Sequence, residues 1–278
     1  MATIACECIG ASVATEDSHL GRWTAARWSP PPASPLCGMI ERIWYFDGVL
    51  ANAKERVFPD GRAELIVMLD EPHRDGDVPA LTPFPAVCIN GLRTRPSVVI
   101  APPGRCRVLG VRFEAAGACA LMRGSMKALL DVTIDVRDEL GRRAERLGER
   151  CADAAETASS NPARNAMLVL RVAAEWVFEM IDRDIVERIA AEVGLSRPRF
   201  VQRFSDRVGV TPKRFARIVR FRNALAGLQR ASIADTAAEL AYYDQAHMHR
   251  DFAEFAGMTP GAFIAANRYP GSPSLAEP

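Results

Sequence analysis

From about residue 38 to residue 113 the apolar positions come in short runs between turn residues, a pattern that predicts strands. "ELIVML" (64 to 69) is a continuous apolar run after Pro59-Asp60-Gly61, as a buried strand reads. "SVVIA" and "RCRVLGVRF" flank Pro102-Pro103-Gly104. The second run sets Leu109, Val111 and Phe113 on one face at period two, so the pair predicts a hairpin. The first 37 residues contain Pro30-Pro31-Pro32 and little periodicity, which predicts an irregular arm over 1–37.

After Phe113 the vocabulary changes to Ala, Leu, Arg and Glu, and the period changes to that of helices. Met167, Leu170, Ala174, Val177 and Ile181 form an apolar stripe that either packs on its own domain or serves a dimer. The expected organisation is a β-rich domain with helices at its C-terminal end over 38–160, a linker helix over 161–181, a helical domain over 182–268 and a disordered tail over 269–278. The fold class is therefore α+β.

The helical part repeats. Sliding the tail by 48 residues lays "IVERIAAEVGLSRPRFVQRFSDRVGVTPKRF" (185 to 215) over "IADTAAELAYYDQAHMHRDFAEFAGMTPGAF" (233 to 263). Phe204 falls on Phe252, Gly209 on Gly257, and Thr211-Pro212 on Thr259-Pro260. Thr-Pro supplies a capping oxygen and then a residue whose missing N–H costs nothing at the first helical position. Each Gly ends the helix before it, where positive φ is cheap only without a Cβ. In the first unit Asp184 and Glu187 make a capping-box-like start, Val193-Gly194-Leu195 turns, and Ser196 caps the next helix. In the second, Ser232 and Asp235 open one helix and Asp244 caps the other. Helix, tight turn and second capped helix is helix-turn-helix geometry, and a helical hairpin of a structural bundle has the same outline.

The exposed face separates these readings. With Phe200 and Phe204 buried, the first such helix turns Arg197, Pro198, Val201, Gln202 and Ser205 outward. With Met248 and Phe252 buried, the second offers Gln245, Ala246, His249 and Arg250. Gln suits an adenine edge and Arg a guanine edge or a phosphate, so both read as recognition helices. His247 and His249 lie about 200° apart on a helix and do not converge on a metal, so no metal and no cofactor are expected. Between the units "PKRFARIVRFRNALAGLQR" (212 to 230) spans roughly 28 Å as a helix, close to the roughly 34 Å between successive major-groove faces. Phe215, Val219, Leu225 and Leu228 are its expected buried side. Lys213, Arg214, Arg217, Arg220 and Arg222 are left to meet phosphates or acids, with Arg214, Arg217 and Arg220 the expected phosphate contacts.

Charge sharpens this picture. The chain of 278 residues carries only +1 overall, but Arg197 to Arg230 holds ten Lys and Arg against Asp206 alone, a local +9. No run of about 18 apolar residues occurs and no basic, then apolar leader opens the chain, so a cytoplasmic protein without membrane contact is expected. Seven scattered cysteines argue for reduced thiols. No G-x-S-x-G, P-loop or G-x-G-x-x-G motif is present, and no enzymatic activity is expected.

On "IAAEVGLSRPRFVQRFSDRVGVTPKRF" and "AAELAYYDQAHMHRDFAEFAGMTPGAF" the chain resembles the AraC/XylS-type transcriptional regulators, over about 85 residues. The resemblance implies base-reading roles for Arg197, Val201 and Gln202 in one unit and for Gln245, Ala246, His249 and Arg250 in the other. Pro198 and Val201 are poor donors, so the first unit is expected to read a methyl group or shape more than base edges. "VFPDGRAELIVML", "INGLRTRP" and "GVRF" resemble the cupin-like barrel that serves as the sensor domain of such proteins. That likeness implies an effector site or a dimer contact. The partners implied are double-stranded DNA, a small-molecule effector, RNA polymerase and a second copy of the chain. This half has only His19 and His73, against the clustered histidines of metal-binding cupins, and its Arg93, Arg95, Arg105, Arg107 and Arg112 read as paired or solvent-facing. The competing function is a DNA alkylation repair protein with a cysteine methyl acceptor, which needs a zinc-activated thiolate; Cys6 and Cys8 lack two nearby partners.

Overall fold

A computed structural model describes residues 11–18, 21–50, 54–122, 124–157, 161–180, 195–266 and 274–277. The chain is α+β, with a β-rich N-terminal part and a helical C-terminal part. The strands are β1 (Ser12–Ser18), β2 (Gly21–Trp28), β3 (Ile40–Leu50), β4 (Lys54–Val57), β5 (Glu64–Met68), β6 (Arg74–Asp75), β7 (Val87–Asn90), β8 (Ser97–Ile100), β9 (Arg105–Phe113), β10 (Thr133–Asp135) and β11 (Ser274–Glu277). They form one antiparallel sheet in the order β1-β2-β3-β9-β5-β7-β10 and a second in the order β11-β4-β8-β6.

Period two decides which face of the large sheet is covered. Ile43 and Tyr45 of β3, Leu65 and Val67 of β5, and Leu109, Val111 and Phe113 of β9 are almost wholly buried on one side. Two helices close that side, α2 (Arg142–Glu156, after the short α1, Arg137–Leu140) and α3 (Pro162–Met180). Leu147 and Cys151 of α2 and Val169, Leu170, Ala173, Ala174 and Val177 of α3 make their stripes. The other side carries a smaller cluster of Met68, Cys88 and Val108 with Trp44 and Phe84 against it. Gly110 is required there, because a Cβ would lie 2.1 Å from the Trp44 ring.

Four expectations differ from this architecture. The arm over 1–37 is not irregular: β1 and β2 are a hairpin paired on to β3, and Thr24, Ala26 and Trp28 alternate inward. Small and polar inward residues such as Thr24 and Ala26 hide that period from an apolar count. The two runs around Pro102-Pro103-Gly104 do not pair with each other: β8 joins β4 and β6, whereas β9 joins β3 and β5, so the turn carries the chain between sheets. The helix expected to be a linker over 161–181 is core, and Leu170, Ala174 and Val177 are spent on their own domain rather than on a dimer; Ile181 lies outside the described residues. The tail expected to be disordered over 269–278 contributes β11, antiparallel to β4.

The arginines of the sheet are mostly paired. Arg105 forks on to Asp47 at 2.7 and 2.8 Å, Arg107 reaches Asp70 at 2.7 Å, and Arg112 binds Asp60 and Glu41. Arg93 donates to the Asp131 carbonyl and to Thr133, and Arg95 is exposed.

The helical part consists of α4 (Arg197–Val208), α5 (Pro212–Gly227), α6 (Ile233–Glu239), α7 (Gln245–Ala256) and α8 (Pro260–Ala266). It shares a core with the β-rich part. Phe58, in the loop after β4, is 1% exposed and meets Phe221 of α5 edge-on at 6.3 Å and Phe263 of α8 at 5.9 Å. Leu92, Val208 and Val210 belong to the same cluster. The loop itself is pinned by Asp60, which accepts from the Arg62 N–H at 2.9 Å and pairs with Arg112. A second contact lies at the C-terminal end of α4, where Lys127 meets Asp206 at 2.7 Å. Replacing Phe58 by Ala empties a site shared by both parts and is expected to cost about 3–5 kcal/mol. Urea unfolding measures it, and a change of under about 0.5 kcal/mol, as at an ordinary surface site, would mean the two parts do not share a core.

Candidate nucleic-acid interface

The punctuation of the repeat is where the sequence puts it. Gly209 and Gly257 end α4 and α7 at φ 98° and 67°. Thr211 accepts from the Arg214 N–H and Thr259 from the Ala262 N–H at 3.1 Å, so α5 and α8 begin alike. Ser232 accepts from the Asp235 N–H at 3.1 Å, and Asp244 from the His247 N–H at 2.6 Å. Ser196 has the extended geometry of a cap without a side-chain hydrogen bond. Asp184, Glu187 and, of the turn, Val193 and Gly194 lie outside the described residues. The turn before α7 is tight enough that Ala241 sits at φ 54°, a conformation L-residues other than Gly, Asn and Asp avoid.

Helical geometry then fixes what α7 shows. Met248, Asp251, Phe252 and Phe255 are buried on one arc, and Phe221 of α5 packs on Phe252 at 5.0 Å and on Phe255 at 5.4 Å. Gln245, Ala246, His249 and Arg250 fall on the opposite arc and are exposed. On α4 the corresponding residues Arg197 and Gln202 are exposed and Val201 is partly so. Two details of α4 depart from expectation. Phe200 is 47% exposed, leaning on Phe204 at 5.8 Å, and Phe204 in turn is only partly buried against Phe215 at 5.5 Å. Ser205 does not face outward: it is buried and donates to the Val201 carbonyl at 2.7 Å.

The largest correction concerns Arg214, Arg217 and Arg220. All three, expected on phosphate, turn toward acids of α7. Arg217 binds Asp251 at 2.7 Å and Glu254 at 2.6 Å, Arg220 reaches Asp251 at 3.3 Å, and Arg214 meets Glu254 at 3.1 Å. The Asp251 side chain is 1% exposed, so its charge is held by two guanidiniums rather than by water. Arg220 also lies over the Tyr242 ring at 4.5 Å, with His247 edge-on to that ring at 5.3 Å. His247 is thus a packing residue. Arg222 is half-buried against the Asp60 carbonyl at 3.5 Å, and burial holds its pKa below the usual guanidinium range. Asp251 and Glu254, three apart on one face of α7, are the sequence signal for these pairs.

Within α4 to α8 and their connections, outward cations without an ion-pair partner among the described residues include Arg197, Arg199, Lys213, Arg230 and Arg250. One residue absent from the expected set joins this face. Tyr243, the residue before the Asp244 cap of α7, is 92% exposed while its neighbour Tyr242 is buried. An aromatic pair immediately before a cap, one ring in and one out, was its readable trace.

Residues 189–266 match a family model described as a helix-turn-helix domain, and residues 29–135 match a domain of unknown function, DUF6597. No curated protein matches the chain. Among solved structures it is similar to ToxT of Vibrio cholerae strain SCE256 bound to an unsaturated fatty acid, at 10% identity over 79% of this chain and 93% of that one, TM-score 0.34. It is also similar to the AraC-like transcriptional activator CuxR, at 12% identity over 87% and 79%, TM-score 0.33.

Two stability outcomes follow from this geometry. Asp251→Asn leaves two guanidiniums facing each other and is expected to cost about 2–3 kcal/mol, less than a sealed pair because the arginines keep some water; a thermal midpoint at the wild-type value would show that the pair does not hold α7. Ala241→Gly relieves the left-handed backbone and is expected to gain about 0.5–1 kcal/mol, read from chemical denaturation. Residues 189–266 therefore belong to a helix-turn-helix domain, in which α4 and α7, each closed by a left-handed glycine, are equivalent helices.

Proposed function

We propose that the chain is an AraC/XylS-type transcription regulator that reads a specific DNA sequence with two helices, α4 and α7, set into successive major-groove segments, and that its β-rich half senses an effector or joins two copies. The observation that carries the reading is the equivalence of the two exposed faces. The same 48-residue repeat that turns Phe204 or Phe252 inward presents Arg197, Val201 and Gln202 in one unit and Gln245, Ala246, His249 and Arg250 in the other. Gln245 and Arg250 have the donor geometry for bidentate base contacts, and Ala246 suits a thymine methyl group. Tyr243 belongs to this face as a backbone or methyl contact. Phosphate contact falls to Arg199, Lys213 and Arg230 rather than to the arginines of the α5–α7 lock. A dimer, if formed, uses a surface other than the α3 stripe, and contact with RNA polymerase belongs to the same reading.

The methyl-acceptor alternative gains no support from the described cysteines. Burial pushes the thiols of Cys88 and Cys151 up to about 12 and that of Cys106 up to about 11, which keeps them protonated and unreactive. Cys6 and Cys8 lie outside the described residues.

Selection of bound sequences from a random duplex library, followed by titration of the best site, tests the reading. Specific affinity should exceed non-specific affinity by about 10³ or more at physiological salt. On that site Arg250→Ala is expected to cost about 1–3 kcal/mol and to relax preference at one base position. A loss equal for every duplex would move Arg250 to phosphate, and no selected consensus at all would remove the sequence-specific reading.

A further inference from the structure

The helix pair on the back of the large sheet encloses a groove of about 460 Å³, lined by Arg143, Arg146 and Arg150 of α2 and Trp176, Glu179 and Met180 of α3. The three arginines stand at i, i+3 and i+7, which places them within about 60° of arc on one side of α2. Of the acids of the same helix, Glu145 and Glu156 fall on its far side, Glu149 stands at the edge of the arginine arc and Asp153 lies one turn beyond Arg150. No acid of α2 is among the residues that line the groove.

The pairing within the groove is uneven. Arg150 meets Glu175 at 3.3 Å and Glu179 at 3.9 Å, so both carboxylates of α3 that approach α2 are already answered by one guanidinium. Arg143 and Arg146 are exposed and have no ion-pair partner among the described residues. Side chains three apart on a helix are neighbours, so a single oxyanion can accept from both unanswered guanidiniums. The wall opposite is apolar and fixed: Trp176 is 3% exposed, and its indole N–H donates to the Arg143 carbonyl at 3.0 Å. That bond ties the aromatic floor to the same turn of α2 that carries the free arginine. Beyond Arg150 the groove runs into a shallower one of about 280 Å³, where Ala154, Leu168 and Val172 offer more apolar wall.

We propose that this groove is a binding site for a small organic oxyanion, a carboxylate or phosphate group bridging Arg143 and Arg146 with a compact apolar body laid on Trp176 and Met180. The volume is in the lower range of ligand sites, which limits the body to about one ring or a short chain. The site lies at the C-terminal end of α3, the last described element before α4. Its use as an effector site rests on the sensor reading; the binding itself does not, so each fails independently.

The test uses the full chain with benzoate and phenyl phosphate as probes and benzamide as the neutral control. Binding is followed by calorimetry and by the indole N–H resonance of Trp176, assigned with W176F. At least one anion should bind saturably and shift that resonance, benzamide should do neither, and R143A/R146A should weaken binding tenfold or more. Whichever anion wins identifies the headgroup. The proposal is overturned if neither anion binds, if benzamide binds as well, if the double variant binds like the wild type, or if sedimentation shows a dimer whose interface covers the groove and excludes both probes.

Discussion

The carboxylate of Asp251 is the point on which the DNA-binding half turns. It lies out of water between Arg217 and Arg220, and Glu254 extends the same lattice to Arg214. A buried ion pair adds little net stability compared with apolar packing, but it is costly to misplace, and so it selects one rotation of α7 over its neighbours. Rotating α7 by one residue would pull Asp251 from its partners and Phe252 from Phe221 together. With that rotation fixed, the outward arc of α7 follows from 100° per residue. The outward face is a by-product of how the helix is anchored.

The same lattice redistributes the positive charge. A third of the cations between Arg197 and Arg230 are consumed in holding the second unit, so the +9 of that stretch overstates what a duplex would meet. What remains outward is clustered near the N-terminal end of α4, at the start of α5 and on α7. Counterion release follows the outward charges only.

Much of the helical half was legible because its signals are local. Gly209, Gly257, Thr211, Thr259, Ser232 and Asp244 each act within four residues, through a positive φ or a capping oxygen, and all are found in those roles. The β-rich half was legible where a run was apolar, as at β5, and illegible where partners are distant. Nothing near Pro102-Pro103-Gly104 tells β8 and β9 that their partners lie in different sheets. Small inward residues concealed β2, and a cation whose acid sits in another helix is indistinguishable in sequence from one that waits for phosphate, which is why Arg217 and Arg220 were misassigned. Exposure of the expected base-reading residues was predictable from the buried arc alone, whereas Tyr243 needed the turn at Ala241 to be seen.

Phe58 has a consequence for how the molecule divides. By composition the chain splits before α4, and a cut there would seem to free an intact reader. In space the seam runs elsewhere: a ring borrowed from the loop after β4 completes the aromatic stack of Phe221, Phe252 and Phe263. An excised reader would carry a ring-sized hole lined by phenylalanines, and grafting it to a foreign front half would require that half to bring a plug of matching shape. The helical half is therefore separable in sequence but not in packing.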